Sequence, residues 1–268
     1  MDTNLVIILV LTFVIHIIGT LSYSSRIAGV RTRKIAVSLS IFNILVLVSR
    51  LSNSFQGPLL AKRVEEHIIS GLGTIPVWDF RIILFSASLA TIVGALLIPT
   101  TQRLFTKAIS RFSIERSVPR LLLYSFSKTG LSQFRESLTA PKPHNINLHL
   151  RKRPAGLIPI LLLNIFGTGI WTVAVLSSLF AGYLIPELRV TASSLAAIIN
   201  GLATLMMFIF VDPYLSLVTD EAVAGKVSNS TFRKIIVDFT TSRFVGTVLA
   251  QFLLIPSAKF IAFFARVL

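Results

Sequence analysis

Arg50 is the residue whose type and place in the chain most invite chemistry. It lies inside the apolar run from Ile35 to Gln56, which also carries Asn43. An arginine within a membrane-length helix costs about 2.5–3.5 kcal/mol on insertion scales. A guanidinium there needs an anion or many acceptors, and its planar fork suits phosphate. On a helix, residues at i, i+4 and i+7 share a face. His16, Thr20 and Tyr23 therefore form one polar stripe in the first apolar run, and Asn43 and Arg50 form another in the second, with Asn53 and Ser54 beyond. Such stripes are costly against lipid and are expected to face each other or a watery cavity. Interhelical hydrogen bonding is the plainer expectation for Asn43 alone.

The remaining polar residues within apolar runs are Asn164, Asn200, Gln251 and Lys259, whereas Asp79, Glu187 and Asp212 fall at run ends. The polar interior is thus expected to be cationic, which favours an anionic, phosphate-bearing substrate over a metal ion. His16, His67, His144 and His149 make no metal-ligand spacing, there is no glycine-rich phosphate loop, and there are no cysteines. The expectation is a protein that is not an enzyme, with no catalytic residues, no metal and no cofactor. A net charge of +15 usually suggests nucleic acid, but 53% hydrophobic and 14% charged residues describe a membrane protein with basic loops instead. No nucleic-acid partner is expected.

The elements that must position these groups are membrane helices. Runs of about 20 apolar residues occur near 3–22, 35–56, 80–101, 156–185, 190–211 and 244–267. The fold class expected is an all-α polytopic membrane protein with about six transmembrane helices, plus amphipathic cytoplasmic helices, in a single domain over 1–268. The second run is expected to end at Gly57-Pro58, before an outer-face helix and a turn. The fourth is long enough to tilt or to break at Gly167 or Gly169. Arg103, Lys107 and Arg111, at four-residue spacing, predict a basic amphipathic helix continuing the third run and lying on anionic membrane lipids. The charge order at the N-terminus argues against a cleavable signal peptide, since the first basic residue, Arg26, follows the apolar run. Lys and Arg number nineteen in the first, third and fifth loops with their flanks and six on the other side. This asymmetry places the 102–153 loop in the cytoplasm of a cytoplasmic (inner) membrane and both termini outside it. His16-Ile-Ile-Gly-Thr-Leu-Ser-Tyr23 and Asn164-Ile-Phe-Gly-Thr-Gly-Ile-Trp171 suggest a short internal repeat. With three spans per half, it would be inverted.

The stretch from Thr20 to Arg50 closely resembles the Amj family of lipid II flippases. The matching residues are Thr20, Leu21, Tyr23, Arg26, Ala28-Gly29-Val30-Arg31-Thr32, Lys34, Ser38, Ser40, Phe42-Asn43 and Ser49-Arg50. Gln56-Gly57-Pro58-Leu59-Leu60, Ser242-Arg243, Gly246-Thr247, Leu249-Ala250-Gln251 and Pro256 match as well. Gly19 stands where members of the family often carry an acid. The resemblance implies a flippase that moves the undecaprenyl-pyrophosphate-linked peptidoglycan precursor, lipid II, from the inner to the outer leaflet. It implies Arg50, Arg26, Arg31 and Arg243, in that order, as residues handling the diphosphate, with Asn43, His16 and Tyr23 along the same path. An enzyme or transporter acting on another polyprenyl phosphate or anionic lipid is the alternative.

Overall fold

The computed structural model describes residues 2–69, 77–115, 127–140 and 156–268, together with positions 117, 120, 124 and 154. Among these the regular structure is helical. The elements are α1 (Thr3–Thr32), α2 (Ile35–Ile69), α3 (Val77–Glu115), α4 (Lys128–Ser137), α5 (Leu157–Leu184), α6 (Arg189–Met206), α7 (Asp212–Val223) and α8 (Asn229–Val267). A 3-10 turn at Pro186–Leu188 leads into α6, and a π-helical turn at Met207–Val211 joins α6 to α7. Among the described residues six segments are long and apolar enough to cross a membrane: α1, α2, Val77–Phe112 of α3, α5, the stretch Pro186–Val223, and α8. The chain is a multi-pass α-helical membrane protein.

The helices outrun their apolar stretches. α2 does not stop at Gly57-Pro58 but passes through Pro58 to Ile69. A proline forfeits one backbone hydrogen bond, a loss that membrane helices tolerate when side chains and neighbours compensate. α5 is continuous through Gly167 and Gly169. α8 begins fifteen residues before the apolar run at 244, so Arg243 lies well inside a helix rather than at a loop edge. α3 runs through Pro99 to Glu115, carrying Arg103, Lys107 and Arg111 as one continuous rod. Trp78, 71% exposed, stands at its first turn, where an interfacial aromatic belongs. The 141–153 part of the long basic loop, with His144 and His149, lies outside the described residues, as does the turn expected at 70–76.

The bundle has two three-helix halves. α1 packs along α2 and α3, α5 packs along α6 and α8, and α3 against α8 joins the halves. The short sequence repeat falls on matching contacts. A Cβ at Gly94 of α3 would lie 2.8 Å from Thr20 Cβ and 3.4 Å from the Ile17 carbonyl oxygen. A Cβ at Gly246 of α8 would lie 2.7 Å from Thr168 Cβ and 2.6 Å from the Ile165 carbonyl oxygen. Thr20 and Thr168, like Ile17 and Ile165, occupy equivalent places in the two eight-residue stretches. Close approach through glycine is how membrane helices associate without a hydrophobic drive between them.

Three local devices fix the frame. Arg33 adopts a left-handed conformation (φ 54°) and caps α1 through Gly29 and Val30 carbonyls. Gly29 then lets α2 fold back, a Cβ there being 3.1 Å from Ile35 Cα. Ser38 Oγ donates to the Ser25 carbonyl at 2.5 Å across this hairpin. At the opposite end Arg63 of α2 bridges Asp2 and Asp79, its Nε lying 2.8 Å from Asp79 Oδ2. The hydrogen bond from Arg63 to Asp2 holds the Asp2 carboxyl below the usual carboxylate range. Finally, Gln251 Nε2 donates to the Arg81 carbonyl at 2.9 Å, while Arg81 Nη1 donates to the Gln251 carbonyl at 3.3 Å. This reciprocal pair ties α8 to α3.

Candidate functional site

A cluster of buried polar groups lies where α1, α5 and α8 meet. Arg243 of α8 is only 9% exposed. Its guanidinium lies over the backbone of Gly19, where any side chain would overlap its Nη2 atom. Among the described residues no carboxylate pairs with it, and its Nε has no hydrogen-bond partner. The acid nearest in sequence, Asp238, is engaged by Lys234 at 3.6 Å, both of them buried. The polar neighbour of the guanidinium is the Tyr23 hydroxyl, which also lies 3.5 Å from the Phe239 carbonyl.

Around this cation stand further orphaned groups. Asn164 Nδ2 donates to Ser242 Oγ at 2.6 Å and to the Phe239 carbonyl at 3.3 Å, leaving its Oδ1 without a partner. Thr168 Oγ1 and His16 Nδ1 are likewise buried and unsatisfied among the described residues. Native interiors satisfy nearly all such atoms. Three further unsatisfied polar atoms thus stand beside a buried guanidinium that has no carboxylate partner among the described residues.

His16 connects this cluster to a cleft. Its ring meets Trp171 edge to face, 5.7 Å between centroids. On its other side the cleft is lined by Thr12, Asn53, Gln56, Thr172 and Asn200, with contributions from both halves. Gln56 Nε2 donates to Thr12 Oγ1 at 2.5 Å, and Asn200 Oδ1 lacks a partner. The cleft volume is about 50 Å³, room for a few waters at roughly 10–15 Å³ each. Toward the other end, Arg26 pairs with Asp212 at 3.9 Å and donates to Ser216 Oγ at 3.3 Å, tying α1 to α7. One face of α1 thus carries Thr12, His16, Gly19, Tyr23 and Arg26 as a polar track. It is about 21 Å long at 1.5 Å per residue.

A model of the Amj family, described as Alternate to MurJ, matches residues 11–265. The chain belongs to the Amj family. It is 36% identical over 266 residues to a protein named lipid II flippase Amj from Bacillus subtilis (strain 168). That match covers 98% of this chain and 97% of the relative. No solved structure matches the chain.

Of the residues expected to form the site, the structure brings together His16, Tyr23 and Arg243, with Arg26 at one end of the same track. It does not place Arg50, Asn43 or Arg31 there. Arg50 and Asn43 stand exposed on α2, beside Leu47, Val48 and Leu51. Arg31 is exposed near the α1–α2 turn. The two polar stripes therefore do not face each other. His16 and Tyr23 of the α1 stripe turn toward α5 and α8 while Thr20 packs on α3 at Gly94, and α2 offers the cleft Leu60 together with Asn53 and Gln56, one and two turns beyond Arg50. Sequence reasoning gave no role to Gly19, Thr168, Trp171 or Ser242. The repeat was the available signal, since Asn164, Thr168 and Trp171 all fall within it.

Proposed function

We propose that this member of the Amj family translocates lipid II, acting as a flippase rather than a catalyst, and that Arg243 receives the diphosphate. The observation that carries the reading is the buried guanidinium with no carboxylate partner among the described residues, surrounded by unsatisfied donors and acceptors. Two further features support it. The polar track is continuous along α1, so a charged head meets polar side chains while its prenyl tail stays in lipid. The Arg26–Asp212 pair and Tyr23 close the track toward the basic loops, and the cleft at Asn53 and Asn200 leads out between α2 and α6. Opening at one end with closure at the other is what alternating access requires. Arg50, one turn from Asn53, serves in this scheme as a guide at the mouth of the cleft, not as the central cation.

The direct test uses purified protein in liposomes carrying lipid II labelled on its headgroup. Wild type is expected to expose internal lipid II to an impermeant reagent, and Arg50→Ala to slow this several-fold without stopping it. No transfer above protein-free vesicles would overturn the flippase reading.

The same reading puts the basic loops in the cytoplasm and both termini outside. A cysteine introduced at Ala140 is then expected to react in intact cells only with membrane-permeant thiol reagents. One introduced at Glu66 is expected to react with impermeant ones. The reverse pattern would invert the transport direction proposed here.

A further inference from the structure

A second cavity lies on the opposite side of α1 from Arg243. It holds about 310 Å³ between α1, α2, α3 and α4, within the range of roughly 300–1,000 Å³ typical of small-molecule pockets. Its floor is hydrocarbon: Leu21, Ile41, Leu45, Leu104, Phe105 and Phe134 all line it. Its rim is cationic. Lys107 Nζ lies 3.2 Å from Glu136 Oε2 and 3.3 Å from the Gln133 carbonyl, so it is held at the edge by α4. Arg111 is fixed over the Tyr124 ring at 3.6 Å, a cation–π geometry that orients the guanidinium. The helical walls of this rim, 102–112 and α4, carry Arg103, Lys107, Arg111, Lys128 and Arg135 against Glu136.

We propose that this pocket binds one anionic glycerophospholipid of the bilayer, an acyl chain on the apolar floor and the phosphate at Lys107 and Arg111. The lipid would staple α4 to the bundle. Two observations favour a bulk phospholipid over the transported substrate. Leu21 faces the pocket, whereas Gly19 and Tyr23, each two residues and about 200° away around the helix, face Arg243. The pocket is therefore separated from the polar track by the body of α1. The cavity also opens at the level where the apolar part of α3 gives way to its basic extension, which is where lipid headgroups sit. Paired apolar floor and basic rim match an anionic lipid in both charge and shape, a zwitterionic lipid only in shape. The site stands independently of the transport reading.

The test uses wild-type protein in nanodiscs containing phosphatidylethanolamine and phosphatidylglycerol, with retained lipids counted by native mass spectrometry. Wild type is expected to retain about one phosphatidylglycerol in preference to phosphatidylethanolamine. Ala108 lines the pocket, so Ala108→Phe fills it and is expected to cut that retention at least tenfold. Ala108→Leu is a smaller filling that serves if Phe prevents folding. Lys107→Gln with Arg111→Gln should leave lipid bound but abolish the headgroup preference. Equal retention of the two lipids by wild type, or unchanged retention after Ala108 is enlarged, overturns the proposal. Displacement of the retained phospholipid by equimolar undecaprenyl diphosphate would assign the pocket to the substrate and overturn it equally.

Discussion

Arg243→Gln is expected to abolish lipid II translocation while leaving the protein as stable as wild type, or more stable. The two halves of this outcome have one cause. Truncating one partner of a buried ion pair usually destabilises a protein by roughly 3–5 kcal/mol, because the other charge is stranded. Arg243 strands nothing, since no carboxylate faces it among the described residues. Replacing an uncompensated buried guanidinium with a neutral amide lowers a standing cost. What is lost is the bound diphosphate's fixed counter-charge. At roughly 3–5 kcal/mol for a desolvated charge, the transport rate falls more than about 100-fold. Arg243→Lys keeps the charge but not the fork, and is expected to recover only part of the rate. Gly19→Ala leaves the arginine in place but displaces its guanidinium, because a methyl there overlaps Nη2. It should give an intermediate rate. Reconstituted transport and thermal unfolding in the same nanodiscs measure both halves. A destabilised Arg243→Gln would make the residue structural, and full activity would remove it from the path.

The contrast between Arg50 and Arg243 shows which parts of such a site a sequence displays. Both are arginines within helices, and the apolar run around Arg50 makes it conspicuous. Arg243 is preceded by Thr240, Thr241 and Ser242, so hydropathy starts the span just after it. Hydropathy reads water-like composition, not burial. The start of α8 is polar in composition yet buried, with Lys234, Asp238, Thr240 and Ser242 all inside the bundle. For the same reason the ends of α1 and α8 were hidden, because both continue past the apolar stretch as rods that bury polar residues such as Ser24, Ser25, Lys234 and Asp238. The number of spans, their helical type and the basic rod after the third were legible, since length and charge periodicity are properties of the chain alone. Which face of α2 turns inward was not. That depends on where α5 and α6 pack, and α2 carries polar residues at 43, 50, 53 and 56 that do not share one face. Gly19 stood out only as a departure from the family pattern, with nothing to say what lies across it. A glycine in a membrane helix acquires meaning only from the side chain that lies across it.

Gly246→Leu is expected to prevent the two helices of the second half from closing, and with them the fold. A Cβ at this position would lie 2.6 Å from the Ile165 carbonyl oxygen and 2.7 Å from Thr168 Cβ. The first of these is backbone, which cannot rotate away, so α5 and α8 must separate along their most extensive packing surface. Overpacking of a close interface costs about 1–3 kcal/mol for added methylenes. Here the displaced element also carries Asn164 and its bonds to Ser242 and the Phe239 carbonyl, whose loss adds unsatisfied buried groups at about 1–3 kcal/mol each. Even Gly246→Ala should therefore lower the melting temperature and the membrane abundance. The equivalent change at Gly94, against Thr20 and the Ile17 carbonyl at 3.4 Å, should do so less, because its backbone contact is looser. Gly57 and Gly201 provide the internal reference, since a Cβ at either meets nothing within 4 Å. At these helical positions Ala removes a conformational cost of roughly 0.5–1 kcal/mol, so stability should hold or rise. The ordering Gly246 below Gly94 below Gly57 in thermal stability of the alanine variants is the measurement. If all the alanine variants matched wild type, the close approach of α5 and α8 through Thr168 and Gly246 would not be what holds the second half together.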